Sequence, residues 1–114
     1  MQISYFQPKD TYISQVMMCF YKEKYYIYYQ CDDTRLPQDA GGEQGWNLAI
    51  SEDMEQYEVH KMVLHSNTEV GRRETLYAGN VIVLNGRFYA CYSVHDGDGA
   101  RIVIAVSEDG LHWS

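Results

Sequence analysis

Apolar and polar positions alternate in blocks along this chain. Residues 16–21 (VMMCFY) are continuously apolar, Lys22-Glu23-Lys24 interrupts them, and Tyr25-Tyr26-Ile27-Tyr28-Tyr29-Gln30 resumes the run. Aromatic and β-branched side chains fit a pleated, half-buried surface, so each run predicts a strand and the polar break predicts a tight hairpin. No window of comparable length shows the 3.6-residue period of an amphipathic helix. The arrangement returns at residues 78–84 (AGNVIVL), Asn85-Gly86 and Arg87-Phe88-Tyr89-Ala90-Cys91-Tyr92. Asn-Gly is the strongest short-range hairpin signal, because both central residues of the favoured turn need positive φ.

A third strand follows each hairpin, Trp46–Asp53 in the first half and Arg101–Asp109 in the second. Ser-Glu-Asp recurs 56 residues apart (51 to 107), and the hairpin cations Lys24 and Arg87 stand 63 apart. This is an internal repeat of about sixty residues, the length of one supersecondary unit. In the first copy Glu58-Val59-His60-Lys61-Met62-Val63-Leu64 predicts a fourth strand; in the second, Leu111-His112-Trp113-Ser114 reaches only the point where that strand would begin. Repeated four-stranded sheets, apolar on both faces, predict an all-β fold of two propeller blades with the second incomplete. Blade one runs over about residues 12–64 and blade two over about 74–114, with 1–11 an N-terminal strand or arm. A two-layer sandwich is the alternative, and it requires one wet face per sheet. Two blades leave apolar faces without neighbours. The expected cover is either further blades of a longer chain or other copies, with Gln2–Phe6 supplying the strand that the second blade lacks.

Composition narrows the partners. The 114 residues are 46% hydrophobic and 14% aromatic with only two prolines, enough to form a core and unlike a disordered chain. Sixteen acidic against nine basic residues give a net charge of −7, so neither nucleic acid nor an anionic membrane is an expected partner. No apolar run approaches the roughly 18 residues of a bilayer span. Met1 to Asp10 lacks the features of a signal peptide, so the expected location is the cytoplasm, or the cell exterior if a precursor's leader was removed. Cys19, Cys31 and Cys91 are odd in number and lack paired zinc spacing. They read as buried free thiols. The loop His95-Asp96-Gly97-Asp98-Gly99 opens like a calcium loop but lacks the later bidentate Glu, so it reads as a turn. The four histidines form no pair on one element, and neither a metal nor a cofactor is expected. No Ser-His-acid, Cys-His or phosphate-loop arrangement is present.

The order Phe6-x-Pro8, Tyr12-Ile13-Ser14-Gln15, Tyr25–Gln30 and Gly45-Trp46-x-x-Ala49-Ile50-Ser51-x-Asp53 resembles glycoside hydrolase family 32. Tyr77-Ala78-Gly79-Asn80-Val81 and the ending Ala105-Val106-Ser107-Glu108-Asp109-Gly110-Leu111-His112-Trp113 continue it over nearly the whole chain. The resemblance implies a five-bladed propeller, often followed by a β-sandwich, that hydrolyses fructosides or related sugars with retention. Retention uses two carboxyl groups about 5 Å apart, a nucleophile and an acid/base. Aligned from Phe6 and Pro8, the family's nucleophilic Asp falls on Gln15 and its preceding Asn on Ser14; a register shift of one puts Ser14 there instead. Neither residue is a carboxylate, and an amide cannot form the glycosyl-enzyme intermediate.

No Arg-Asp-Pro segment occurs; Arg73-Glu74 is nearest, with Glu74 either facing the axis or solvated in a loop. The resemblance makes Gln30, Trp46, Tyr77 and Ala78 sugar-pocket positions, Ala78 lacking the family's hydroxyl. Asp32 and Asp33 follow Gln30 either to the pocket rim or into solvent. Aromatic rings stack on sugar C–H faces and amides bond hydroxyls, so the set is chemically sensible for a carbohydrate partner. Trp46 and Tyr77 read equally as packing residues of their blades. Two functions remain: an enzyme-derived piece whose nucleophile position is substituted, or a non-catalytic module that binds carbohydrate or oligomerises.

Overall fold

The computed structural model describes residues 3, 5–8, 11–33, 44–65, 75–96 and 98–114. Their regular structure is β throughout: β1 (Thr11–Tyr21), β2 (Lys24–Asp33), β3 (Gln44–Ser51), β4 (Glu58–His65), β5 (Thr75–Leu84), β6 (Arg87–Asp96) and β7 (Gly99–Ser107). Two antiparallel meanders result, β1-β2-β3-β4 and β5-β6-β7. These are two propeller blades, the second one strand short. Ser114 marks where that strand begins, exchanging two 3.0 Å backbone hydrogen bonds with Val106. One repeat earlier, Glu58 pairs with Ile50 at the corresponding place. Among the described residues no helix is long and apolar enough to cross a membrane.

Turn chemistry explains the register. Asn85 (φ 51°) and Gly86 (φ 78°) supply the two positive φ values that a tight β-hairpin needs. The β1–β2 turn asks the same of Lys22 (φ 49°) and Glu23 (φ 63°), residues that enter this region at a cost. The Ser-x-Asp turns also repeat in detail. Ser51 Oγ accepts from Met54 N and Asp53 Oδ1 accepts from Glu55 and Gln56 N. Ser107 Oγ accepts from Gly110 N, and Asp109 Oδ1 from Leu111 and His112 N. Gly110 (φ 80°) occupies the left-handed position that Met54 (φ 61°) fills in the first copy.

The second turn has a pH consequence. Burial opposes ionisation of Asp109, but the His112 N–H and ring, the Leu111 N–H and the Ser107 hydroxyl outweigh it and hold the carboxyl far below the ordinary carboxylate range. A depressed folded-state pKa stabilises the fold above the unfolded value of about 4, and that contribution is lost as pH falls below it. Acid titration of unfolding is therefore expected to show a steeper loss below about pH 4 in the wild type than in Asp109→Asn. Equal slopes would remove this turn from the acid response.

The core lies between the two sheets. Met17, Tyr28, Trp46, Leu48, Ile50 and Leu64 of the first blade meet Leu76, Val81, Phe88, Ala90, Tyr92, Val94 and Ala105 of the second. Tyr28 Oη crosses the junction and donates to Gly110 C=O at 2.7 Å. The apolar run at 16–21 is consequently split by the two-residue period of a strand. Met17, Cys19 and Tyr21 face the second blade, while Val16, Met18 and Phe20 on the other flank are 62%, 54% and 58% exposed. That flank is partly covered: Phe6, Ile13, Tyr57 and Met62 pack over Tyr29, Cys31 and Ala49. The outer flank of the second blade is bare, with Ile82, Leu84, Ile102 and Ile104 each at least half exposed. A closed sandwich would turn polar side chains outward there.

The expectation of three buried thiols needs correction. Cys31 is buried, Cys19 is half-buried with its thiol pushed up to about 11 by burial, and Cys91 is exposed. Cys91 pairs with Asn80 and Ile104 on the flank that points away from the first blade.

Candidate functional site

Both blades depart from regular pairing near the same end. In β1 the pairs Ser14–Gln30 and Val16–Tyr29 leave Gln15 as an extra residue, a β-bulge with Gln15 at φ 40°. In β5 the pairs Leu76–Val94 and Gly79–Tyr92 leave Tyr77 and Ala78 opposite Ser93 alone. Bulges re-aim side chains and cluster next to functional sites. Left-handed backbone at a glutamine is strained, and it persists only where its surroundings enforce it.

Each bulge lifts a polar or aromatic group out of the sheet's alternation. Gln15 is exposed, and Tyr77 is 43% exposed with its ring meeting His95 edge-on at 4.5 Å. Ala78 packs instead against the core. Gln30 is buried, opposite Ser14 on β1 and Trp46 on β3. Trp46 has no exposure; it lies against Tyr92 at 5.2 Å and Tyr28 at 6.3 Å. Its Nε1 is a buried donor with no partner among the described residues. In this chain Trp46 therefore packs between the blades, beside Gln30 on the neighbouring strand. Asp32 pairs through its backbone with Tyr12 and Gln44; its side chain, like the whole of Glu74, lies outside the described residues.

Asparagine takes a structural part nearby. Pairing slips between Trp46–Leu64 and Leu48–His60, and Asn47 fills the slip: its Oδ1 accepts from Met62 N at 2.8 Å and its Nδ2 approaches Tyr29 Oη at 3.5 Å. The acidic loop is likewise a turn. Asp96 Oδ1 accepts from Asp98 N at 2.8 Å, and its Oδ2 pairs with Arg101 at 2.9 Å. Among the described residues no cluster of His, Cys, Asp and Glu could hold a metal.

Sequence reasoning singled out Gln15, Gln30, Trp46 and Tyr77 but passed over Ser14's pairing with Gln30 and over His95. Counting register back from Asn85-Gly86 sets Tyr77 against Val94. Only the bulge moves Thr75 to His95 and so brings the imidazole to the phenol. Gly79, beside the bulge, was the available hint.

Two meanders of this kind, with bulged first strands and amide and aromatic groups gathered at one end, define a glycoside hydrolase-type β-propeller. The family model for the N-terminal domain of glycosyl hydrolases family 32 matches residues 5–114, and the chain belongs to that family. Among solved structures the fold is similar to a family 32 β-fructofuranosidase of Bombyx mori, BmSUC1 (14% identity, TM-score 0.70, covering 94% of this chain and 23% of that one). It is also similar to the RS223 β-xylosidase (23% identity, TM-score 0.67, 90% and 34%). A thermostable family-43 glycoside hydrolase gives 26% identity and a TM-score of 0.63 over 89% and 30%. The chain thus spans a third or less of the length of most of these structures. No curated protein matches it.

Proposed function

We propose that this chain supplies the first two blades of a family 32 propeller and the sugar-binding half of its pocket, for fructosides or related glycosides, without supplying the nucleophile. The observation that carries this is Gln15: an exposed amide at a strained bulge of the first strand, at the position where the family resemblance puts the attacking aspartate. A neutral amide donates and accepts hydrogen bonds to sugar hydroxyls but does not form the covalent intermediate of retaining hydrolysis. Tyr77 offers a ring face of the kind that stacks on sugar C–H groups. The family match and the likeness to a β-fructofuranosidase support fructosides as the sugar class.

The test is calorimetric titration of the chain with fructose, sucrose and levan oligosaccharides, with product release measured in parallel. Saturable binding weakened about three- to tenfold by Gln15→Ala, the worth of one hydrogen bond, with no product, is expected. Turnover above the Gln15→Ala background overturns the non-catalytic reading, and absence of binding at millimolar sugar overturns the pocket.

A further inference from the structure

We propose that His95 is a positioning residue: from the paired strand it props the ring of Tyr77 in the orientation that Tyr77 presents to sugar. The inference rests on the sugar-facing role proposed for Tyr77 above and says how that role is built. Its origin is the bulge. Regular pairing counted back from Leu84–Arg87 sets Tyr77 against Val94 and puts His95 on the opposite face of the sheet. With Tyr77 and Ala78 both accommodated opposite Ser93, Thr75 pairs with His95 instead, so Thr75, Tyr77 and His95 share one face. Tyr77 and His95 are then diagonal neighbours across the strand pair, a spacing of about 7–8 Å that aromatic side chains bridge. They do bridge it: the ring centroids lie 4.5 Å apart, with 62° between the planes.

The bulge is pinned on both sides. Before it, Leu76 and Val94 are buried between the blades; after it, Gly79 lies so close to β6 that a Cβ would meet the Cys91 carbonyl oxygen. A slip of register that parted the rings would break one of these contacts. What remains free is the Tyr77 side chain itself. Among the described residues its hydroxyl makes no hydrogen bond, and the imidazole is the one ring it meets. A tyrosine that hops between rotamers loses that freedom when a sugar stacks on it, and the ordering weakens binding. An edge-to-face contact orders the ring beforehand. At 62° the two rings form a corner and not a stack, so the imidazole leaves at least one face of the phenol uncovered. Stacking on sugar C–H groups needs such a face. Both residues belong to one hairpin, so the contact is complete within the second blade whatever lies beside it.

Two measurements on the full chain test this, and the first needs no sugar. In the tyrosine-labelled chain, with the Tyr77 signals identified by their loss in Tyr77→Leu, NMR couplings of the Tyr77 methylene report its χ1 rotamer. One rotamer is expected in the wild type, an average in His95→Ala, and one rotamer again in His95→Phe. The second measurement is calorimetric titration with sucrose and levan oligosaccharides. His95→Ala is expected to weaken binding about three- to tenfold, the worth of one aromatic pair, and His95→Phe to restore it. In a Tyr77→Leu background His95→Ala is expected to change nothing further. Rotamer averaging at Tyr77 in the wild type, an unaltered rotamer in His95→Ala, or failure of His95→Phe to restore the ring would each overturn the proposal. So would a loss of affinity in His95→Ala that persists in the Tyr77→Leu background, because His95 would then touch the sugar itself. A wild type in which His95 holds Tyr77 but no sugar binds supports the positioning and overturns the function proposed above.

Discussion

Gly79→Ala is expected to destabilise the fold by about 3 kcal/mol, the upper end for overpacking, because the added methyl has nowhere to go. A Cβ at Gly79 would run into the Cys91 carbonyl oxygen and the Tyr92 Cα, both backbone atoms of the paired strand β6. Side chains relieve crowding by changing rotamer; a neighbouring strand relieves it only by moving away. Movement here is costly twice over. It would open the β5–β6 ladder beside the bulge, and it would withdraw the Gly79 N–H from Met17 Sδ, 3.4 Å away on the first blade. Small domains have only about 5–15 kcal/mol of total stability, so the loss is a large fraction. In urea the midpoint is expected to fall with an unchanged slope. Gly45→Ala meets the Leu64 carbonyl oxygen and His65 Cα in the same way and is expected to behave alike. A loss under about 1 kcal/mol at both positions would mean that the bulged strands give way more easily than close-packed interiors do.

The same two positions show what the sequence could reveal. The seven strands, their meander order and the incomplete second unit follow from apolar runs and from Asn85-Gly86, because strand period and turn chemistry are local. The family resemblance likewise rests on contiguous motifs. The bulges at Gln15 and at Tyr77–Ala78 were not legible, since an extra residue leaves the composition of a run unchanged and only shifts what faces it. That shift decides the site. It sends Ala78 inward, leaves Tyr77 beside His95, and pairs Gln30 with Ser14 in place of Gln15. Burial on each flank was equally beyond reach: Cys91 and Cys31 sit in similar runs, yet one faces open solvent and the other lies with Tyr29 and Ala49 in the cluster that Phe6 covers. What separates them is that Phe6, Ile13, Tyr57 and Met62 fold over the outer flank of the first blade, whereas no described residue covers that of the second.

Trp46→Ala is expected to be the most damaging single truncation, at about 3–5 kcal/mol, because it empties the volume of a fully buried indole. The ring sits where the blades meet, against Tyr28 and Tyr92, and its loss leaves both tyrosines facing a void. Trp46→Phe separates two contributions that the alanine variant confounds. Phenylalanine gives up part of the packing but also removes a buried N–H that has no partner among the described residues, and such a donor costs about 1–3 kcal/mol. The two effects oppose one another, so Trp46→Phe is expected within about 1 kcal/mol of the wild type in chemical denaturation. Its sugar affinity should also be unchanged, since Trp46 presents no surface to solvent whereas Gln15 and Tyr77 do. If Trp46→Phe costs several kcal/mol, the packing of the larger ring outweighs the relief of its unpaired N–H. If stability holds while sugar affinity falls, the packing around Trp46 beside Gln30 opens to admit ligand, and Trp46 joins the pocket that the family resemblance assigned to it.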